Sequence, residues 1–195
     1  MMRWLAGLSL ILGIGLAGCS SVDSSGPPEL GQTQFTLQGR LGVRWQGDSQ
    51  QAQLNWQHGS TGDWMTLEGP LGQTVASLSR TASQVELQTT EGRYVAPDPE
   101  SLTEKVLGWR LPLQGLSYWV QGKLDPMQGG EPERDEQGRL QQLQQQDWLI
   151  RVSSYFPDHP TAGALPRKLS LQRDGLELRL VVDQWTLPDG TTLTP

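Results

Sequence analysis

The chain has 195 residues, with 15 Lys and Arg against 21 Asp and Glu, so its formal net charge is −6. Charged residues make up 18% of the chain and hydrophobic residues 35%, which argues against a charged disordered chain or a coiled coil. The acidic balance argues against a nucleic-acid-binding protein, because contact with phosphates needs a basic face. The single cysteine excludes an intramolecular disulfide and a multi-cysteine metal site.

The N-terminus has the layout of a secretory signal. Arg3 precedes an apolar run, Trp4 to Ala17, of about fourteen residues, whereas a permanent membrane-spanning helix needs roughly 20. The run ends in Leu16-Ala17-Gly18-Cys19, which resembles the signal of bacterial lipoproteins, whose leader is removed and whose cysteine is lipidated. We therefore predict a signal peptide over 1–18 and a lipid anchor at Cys19. The alternative is a secreted protein in which Cys19 is incidental.

The residues after the cysteine predict where the protein is located. Ser20 follows, not aspartate, and by resemblance to bacterial sorting rules this favours the outer membrane, at its periplasmic face. Residues 19–33, rich in Ser, Gly and Pro, are typical of a flexible lipid-anchored tether. One acyl chain anchors a protein only marginally, whereas two or more hold it firmly. The predicted folded domain covers 34–190, with a tail at 191–195.

Apolar residues alternate with polar ones along most of this domain. Between Phe35 and Trp45 the odd positions are mainly apolar, and 52–56 continues the pattern, which predicts a hairpin of two strands. A turn around Asp48-Ser49 places apolar residues on one face of both strands. The predicted cross-strand pairs are Trp45 with Ala52, Val43 with Leu54, and Leu41 with Trp56.

A second hairpin is predicted at Asp174-Gly175, a dipeptide typical of a type I′ turn. This turn places Leu171 opposite Leu178 and Leu169 opposite Leu180, again on one face. Further strands are predicted at 63–68, 74–80, 84–89, 92–96, 139–145 and 147–155. The sequence therefore predicts a mainly β domain with about ten antiparallel strands in one sheet.

Two helices interrupt the strands. Asp98-Pro99 provides an N-cap and a first-turn proline, and an apolar stripe follows until Gly108. A second short helix is predicted at 113–121 from the spacing of its apolar residues. Residues 123–138 are predicted to form a polar loop.

The width of the sheet points to a hollow interior. About ten strands curled around an apolar face enclose more space than two short helices fill, and such barrels tend to hold ligands. A closed, tryptophan-rich sandwich is the alternative that the pattern leaves open. The candidate cavity residues are Trp45, Trp56, Trp119, Trp148, Trp185 and Leu116.

Motifs for catalysis or metal binding are absent from the sequence. The chain has no nucleophile elbow, zinc-protease motif or nucleotide-binding loop. His58 and His159 are predicted to be exposed loop residues. The carboxylates of 131–136 alternate with Pro132 and Arg134, as in a solvated loop. We therefore predict a protein that is not an enzyme and that has no metal or cofactor.

The connection between strands 63–68 and 74–80 has an unusual tip. Glycine and proline mark a tight turn at Gly69-Pro70-Leu71-Gly72, and Leu71 occupies a position where a polar residue is expected. Leu71 either folds back onto the core or protrudes into a bilayer. Burying one leucine contributes about 1.5–3 kcal/mol, which suits a reversible contact by a protein that is already anchored.

Taken together, these motifs resemble the LolB family of outer-membrane lipoproteins, which receive other lipoproteins and insert them into the outer membrane. The resemblance covers nearly the whole mature chain in order. It is carried by the signal ending at Cys19 and by Gly39-Arg40-Leu41-Gly42-Val43-Arg44, Leu54-Asn55-Trp56-Gln57, Gly69-Pro70-Leu71-Gly72-Gln73-Thr74, Leu107-Gly108-Trp109 with Leu111-Pro112, Trp119-Val120-Gln121-Gly122, Gly138-Arg139-Leu140, Trp148 and Trp185.

The resemblance implies an incomplete antiparallel barrel of about eleven strands, with helices across its open side and a hydrophobic cavity inside. It implies a monomer whose cavity takes acyl chains from the soluble periplasmic carrier LolA, and it maps the family's protruding membrane-insertion leucine onto Leu71, flanked by Pro70 and Gly72. Gly69 departs from the polar residue that is common in the family, and the stretch from Cys19 to Phe35 is short for it. A module for another lipid and a structural lipoprotein with a closed core are the alternatives.

Overall fold

Alternating apolar and polar residues form strands along most of the chain in the computed structural model, which describes residues 28–160 and 162–195. The first six strands precede both helices. They are β1 (Thr33–Trp45), β2 (Asp48–Gly59), β3 (Asp63–Glu68), β4 (Thr74–Arg80), β5 (Val85–Thr89) and β6 (Gly92–Ala96).

Two helices and six further strands complete the fold. The helices are α1 (Pro99–Leu107) and α2 (Leu113–Trp119). The strands are β7 (Gly130–Arg134), β8 (Leu140–Gln145), β9 (Trp148–Tyr155), β10 (Pro166–Arg173), β11 (Leu176–Thr186) and β12 (Thr192–Leu193).

All twelve strands belong to one antiparallel sheet in the order β6-β5-β4-β3-β2-β1-β11-β10-β9-β8-β7, with β12 paired to β11. The sheet is open, because β6 and β7 form its two edges and do not pair with each other. One apolar cluster joins one face of the sheet to both helices. The predicted mainly β, incompletely closed architecture is therefore confirmed, with a strand count slightly above the predicted ten to eleven.

The register of the first hairpin differs from the predicted one. Trp45 lies opposite Asp48, and Leu37 lies opposite Trp56, so the turn is at Gln46-Gly47. Both turn residues have positive φ, 52° and 93°, as a type I′ turn requires. The predicted turn at Asp48-Ser49 is wrong by an even number of residues. Such a slip leaves every side chain on its expected face, so alternation alone does not detect it.

The second hairpin has its predicted register, with Leu171 opposite Leu178 and Leu169 opposite Leu180. Asp174 and Gly175 take φ values of 47° and 82°, which makes this turn type I′ as well.

The predicted polar loop at 123–138 contains a strand that the sequence pattern missed. β7 pairs with β8, Gly130 opposite Gln145, and all five β7 residues are exposed. Because β7 is an edge strand with no buried face, it shows no apolar alternation. Glu131, Pro132 and Glu133 are typical of the residues that protect an edge from pairing with another chain.

The packed unit extends beyond the predicted boundaries at 34 and 190. Leu30 is buried, and its carbonyl accepts a hydrogen bond from the Thr61 N–H at 3.2 Å. At the other end, Thr192–Leu193 pairs with β11 inside the predicted tail. The predicted signal peptide and Cys19 lie outside the described residues.

Both helices start close to where the sequence predicts them. The Asp98 carboxylate accepts the Ser101 N–H at 2.9 Å and caps α1, which ends at Gly108 with φ 80°. α2 ends two residues before its predicted end. α1 packs against β5 and β6. No helix in the described ranges has both the length and the apolar character to cross a membrane.

A buried carboxylate joins β2, β3 and β4. Asp63 is fully buried and accepts hydrogen bonds from Trp56 Nε1 at 2.9 Å, His58 Nδ1 at 2.7 Å and Arg80 Nε at 2.6 Å. Burial by itself raises the pKa of Asp63, but the His58 hydrogen bond and the Arg80 charge hold that pKa below its ordinary value. His58 is therefore not the exposed loop residue that was predicted.

A close backbone approach requires glycine at position 39. The β1–β11 register shifts between Gln38 and Gly39, and a Cβ on Gly39 would overlap the carbonyl oxygen of Val181. On the same strand, a Cβ on Gly42 would meet nothing closer than 3.8 Å. The glycine at 39 is therefore a steric requirement, whereas the one at 42 is not.

We expect Gly39→Ala to lower the free energy of unfolding by about 2 kcal/mol, because two paired strands must move apart. Gly42→Ala is the matched control and should change stability by less than about 0.5 kcal/mol. Urea unfolding followed by tryptophan fluorescence measures both. Equal effects of the two substitutions would contradict the steric explanation.

We expect Asp63→Asn to cost about 3–5 kcal/mol at pH 7, because it removes the charge that pairs with Arg80. Since the folded pKa of Asp63 lies below the ordinary 3.8, the carboxylate stabilises the fold above that pH, and the contribution is lost as pH falls through the folded pKa. Urea unfolding at pH 7 and pH 3 should therefore give a smaller pH effect in Asp63→Asn. Asp183→Asn, in an exposed pair with Arg40, is the control and should cost at most about 1 kcal/mol.

Candidate functional site

The turn between β3 and β4 presents an apolar side chain to solvent. Leu71 is 93% exposed, the highest value among the large hydrophobic residues of the described chain. Two hydrogen bonds close the turn: the Gly72 N–H donates to the Gly69 carbonyl and the Gly69 N–H to the Gln73 carbonyl, both at 2.9 Å. Pro70 restricts the backbone before Leu71. Leu71 therefore protrudes and does not fold back onto the core.

The turns of several hairpins lie at the same end of the sheet as Leu71. Glu68 lies opposite Gln53 in the middle of β2, and the Asp48 end of β2 continues in the direction of the Leu71 turn. Each following ladder keeps this polarity as far as β7. We call this end the turn rim. It is formed by the turns at 46–47, 69–73, 90–91, 146–147 and 174–175.

An apolar cavity of about 100 Å³ lies between the inner face of the sheet and the helices. Apart from the indoles of Trp56 and Trp109, only two lining residues have polar side chains, Ser77 and Thr103. The lining residues are Leu41, Val43, Leu54, Trp56, Met65, Leu67, Ala76, Ser77, Leu78, Leu87, Thr103, Leu107, Trp109, Leu111, Leu116, Leu171, Leu178 and Leu180.

The cavity opens towards the turn rim. Val43, Leu67 and Ala76 are half-buried lining residues, and each lies on the part of its strand nearest that end of the sheet. Deeper along the same strands, Leu37 of β1, Met65 of β3 and Leu78 of β4 are buried. The opening and the protruding Leu71 therefore lie at the same end of the molecule.

Two of the six predicted cavity residues line this space, Trp56 and Leu116. Trp56 forms part of the wall with its Nε1 fixed by Asp63. Leu116 projects from α2. The remaining four tryptophans, Trp45, Trp119, Trp148 and Trp185, lie elsewhere in the core or at its margin.

These four tryptophans occupy three environments. Trp119 donates from Nε1 to Gln145 Oε1 at 2.6 Å and contacts Trp148, with ring centroids 6.1 Å apart. Trp185 donates to the Pro166 carbonyl at 3.3 Å and packs edge-on against Phe35. Trp45 is only half-buried and lies close to Gly108. Alternation predicts which side chains point inward. It does not show whether an inward side chain lines the cavity or lies in the filled part of the core.

Trp109 lines the cavity although the sequence did not suggest it. It follows the C-cap of α1 in a segment without regular secondary structure, so no periodicity assigns it a face. The sequence offered one indication of this role: Trp109 comes directly after Leu107-Gly108, where α1 ends.

The described residues hold no cluster of three or more His, Cys, Asp or Glu side chains suited to a metal ion. The polar groups at the cavity are few, and Thr103 Oγ1 is occupied by the Leu111 N–H at 2.9 Å and the Pro99 carbonyl at 2.8 Å. The site is therefore suited to holding apolar groups by exclusion of water, without directional hydrogen bonds.

The chain is similar to known proteins along most of its length. The family model described as "Outer membrane lipoprotein LolB" matches residues 33–185. A relative from Thiobacillus denitrificans, named "Outer-membrane lipoprotein LolB", is 38% identical over 177 residues, or 87% of this chain and 91% of that protein. A relative of the same name from Chromobacterium violaceum is 35% identical over 91% of this chain and 97% of its own length.

Among solved structures, a LolA superfamily protein from Nitrosomonas europaea is similar with a TM-score of 0.46 and 8% identity, over 82% of this chain and 89% of that chain. The family assignment therefore rests on the sequence relatives and on the family model. Both cover most of the chain. The chain belongs to the LolB family of outer-membrane lipoproteins.

Proposed function

We propose that this protein is an outer-membrane receptor that accepts lipoproteins from the periplasmic carrier LolA and inserts their acyl chains into the inner leaflet of the outer membrane. Cys19 carries the lipid anchor in this proposal, and the domain faces the periplasm. The observation that supports it most directly is the apolar cavity, which opens at the rim from which Leu71 protrudes.

The energetics of acyl chains explain why such a receptor is needed. Three chains of about sixteen carbons, at roughly 0.8 kcal/mol per methylene, cost on the order of 38 kcal/mol to expose to water. Transit through the periplasm therefore needs a continuous series of apolar environments. A cavity without charged lining residues provides the last of these before the bilayer. The net negative charge of the chain suits a basic rim on the carrier, which would steer encounter.

The cavity must widen to accept an acyl chain. Its volume of about 100 Å³ lies below the roughly 300–1,000 Å³ of pockets that enclose small organic ligands. α1 supplies Thr103 and Leu107 to the wall and packs against β5 and β6, at one edge of the open sheet. Movement of this helix would enlarge the cavity without breaking the strand ladder.

Delivery would then proceed downhill. The widened cavity closes again when it empties, so release recovers the cost of holding its apolar walls apart, whereas the bilayer accepts the chains without such a cost. Leu71 contributes about 1.5–3 kcal/mol when it is buried, which is enough to bring the opening to the lipid surface and too little to prevent release.

We expect Leu71→Glu to accept cargo from loaded carrier but to deliver at least about tenfold less of it to vesicles, because a carboxylate resists entry into lipid. The measurement follows a labelled lipoprotein from carrier to receptor to vesicle. Val95→Glu is the control, since Val95 is 53% exposed on β6, away from the rim. Unchanged delivery by Leu71→Glu would argue against insertion through this turn.

We expect Ala76→Phe to abolish uptake of a fluorescent fatty acid, because the ring fills a cavity of about 100 Å³ at its half-buried wall. Gln88→Phe, at an exposed position of β5 outside the cavity lining, is the control and should bind the probe as the unaltered chain does. Thermal unfolding of both variants confirms that they are folded. Normal uptake by Ala76→Phe would show that acyl chains bind somewhere else.

A further inference from the structure

A second turn on the molecule has the same design as the Leu71 turn. In Asp125-Pro126-Met127-Gln128 the Gln128 N–H donates to the Asp125 carbonyl at 3.2 Å, as the Gly72 N–H donates to the Gly69 carbonyl at 2.9 Å. In both turns proline is the second residue and a large apolar residue is the third. Met127 is 77% exposed, second only to Leu71 among the large hydrophobic residues of the described chain.

A buried polar network holds this turn in place. Gln145 is 1% exposed and binds the turn at three points: its Oε1 accepts the Asp125 N–H at 3.0 Å, and its Nε2 donates to the carbonyls of Asp125 at 2.9 Å and Gln128 at 3.0 Å. The Asp125 carboxylate accepts the Met127 N–H at 2.9 Å and Gln114 Nε2 at 3.3 Å. A satisfied buried network of this kind makes a segment rigid. The fold therefore holds Met127 in its exposed position.

The Met127 turn lies on the turn rim. It leads into β7, whose first residue, Gly130, is opposite Gln145, directly before the 146–147 turn. Seven strand steps separate β3 from β7, or about 34 Å along the sheet at ~4.8 Å per step. The two protruding residues thus stand at the same end of the sheet but far apart across it.

We propose that Met127 is a second contact with the lipid bilayer, which acts together with Leu71 to hold the cavity opening against the membrane. This inference rests on the proposed function. One inserted side chain leaves the domain free to tilt in any direction about a single point, whereas two that stand far apart leave only rotation about the line that joins them. Methionine suits this position because its flexible thioether adapts to an irregular apolar surface.

The surroundings of Met127 favour lipid over a charged protein partner. Both carboxylate oxygens of Asp125 are occupied within the turn, as described above. Elsewhere on the rim, Arg173 lies 3.4 Å from both Asp147 and Asp174, so its charge offsets one of these two carboxylates. The contact is therefore apolar, and we expect it to depend little on salt.

Lipid quenching of fluorescent probes tests this proposal. The full chain is produced in a bacterium and reconstituted into phosphatidylethanolamine–phosphatidylglycerol vesicles that contain a bromine-labelled lipid. Met127→Cys, Leu71→Cys and Ala82→Cys are labelled separately with a small fluorophore, and the unaltered chain measures any labelling of Cys19. Ala82 is exposed in the turn between β4 and β5, at the opposite end of the sheet, and is the control.

We expect the probes at 127 and 71 to be quenched several-fold more than the probe at 82, at low salt and at 0.5 M NaCl alike. Quenching at 71 with none at 127 would overturn this inference and leave the proposed function standing. Quenching at neither position would overturn the membrane step of the proposed function itself. If the fluorescence of the probe at 127 changes only when the carrier is added, Met127 contacts a protein, and the inference is overturned.

A delivery assay provides the second measurement. Met127→Glu should lower transfer of cargo to vesicles by several-fold with uptake unchanged, whereas Met127→Leu should deliver as the unaltered chain does. Because Met127 is exposed, both variants should unfold at the same temperature as the parent. Normal delivery by Met127→Glu would overturn the proposal.

Discussion

The structure depends on a sheet whose apolar face is wider than its helices can cover. α1 and α2 pack on one side of eleven consecutive strands, and the two edge strands do not meet. An apolar surface that cannot be covered by its own chain must be filled by side chains or left hollow. This protein does both, in different parts of the interior.

The solid and the hollow parts follow from the positions of the polar groups. Beneath β8 and β9, Trp119 from α2 is tied to Gln145 and packs against Trp148, so the interior there is filled. Beneath β1 to β5, Trp56 is held back against the wall by Asp63, which leaves the space in front of it open. Directional hydrogen bonds thus hold Trp119 in the filled part of the core and Trp56 in the cavity wall.

The sequence predicted the strands, both helices, the Asp174-Gly175 turn and the unusual Leu71 turn, because each depends on local chemistry. The β1–β2 register was wrong, since an even slip preserves alternation. β7 was missed because an exposed edge strand has no apolar period. Four of the five candidate tryptophans lie outside the cavity lining, because alternation indicates the inward face but not the space in front of it. Trp109 and Met127 lie in irregular segments, where only tertiary contacts assign a role.

The point at which the chain enters the domain also has a mechanical consequence. Leu30 packs beside Gly59 and Gly62, at the end of the sheet opposite Leu71. From Gly62 to Glu68, just before the Leu71 turn, the strand covers about 20 Å at ~3.3 Å per residue. The steps from Cys19 to Leu30 span at most about 36–40 Å when fully stretched. With the proposed anchor at Cys19, Leu71 can therefore reach the same lipid surface when these steps cover more than half of their stretched length, or when the domain lies on its side.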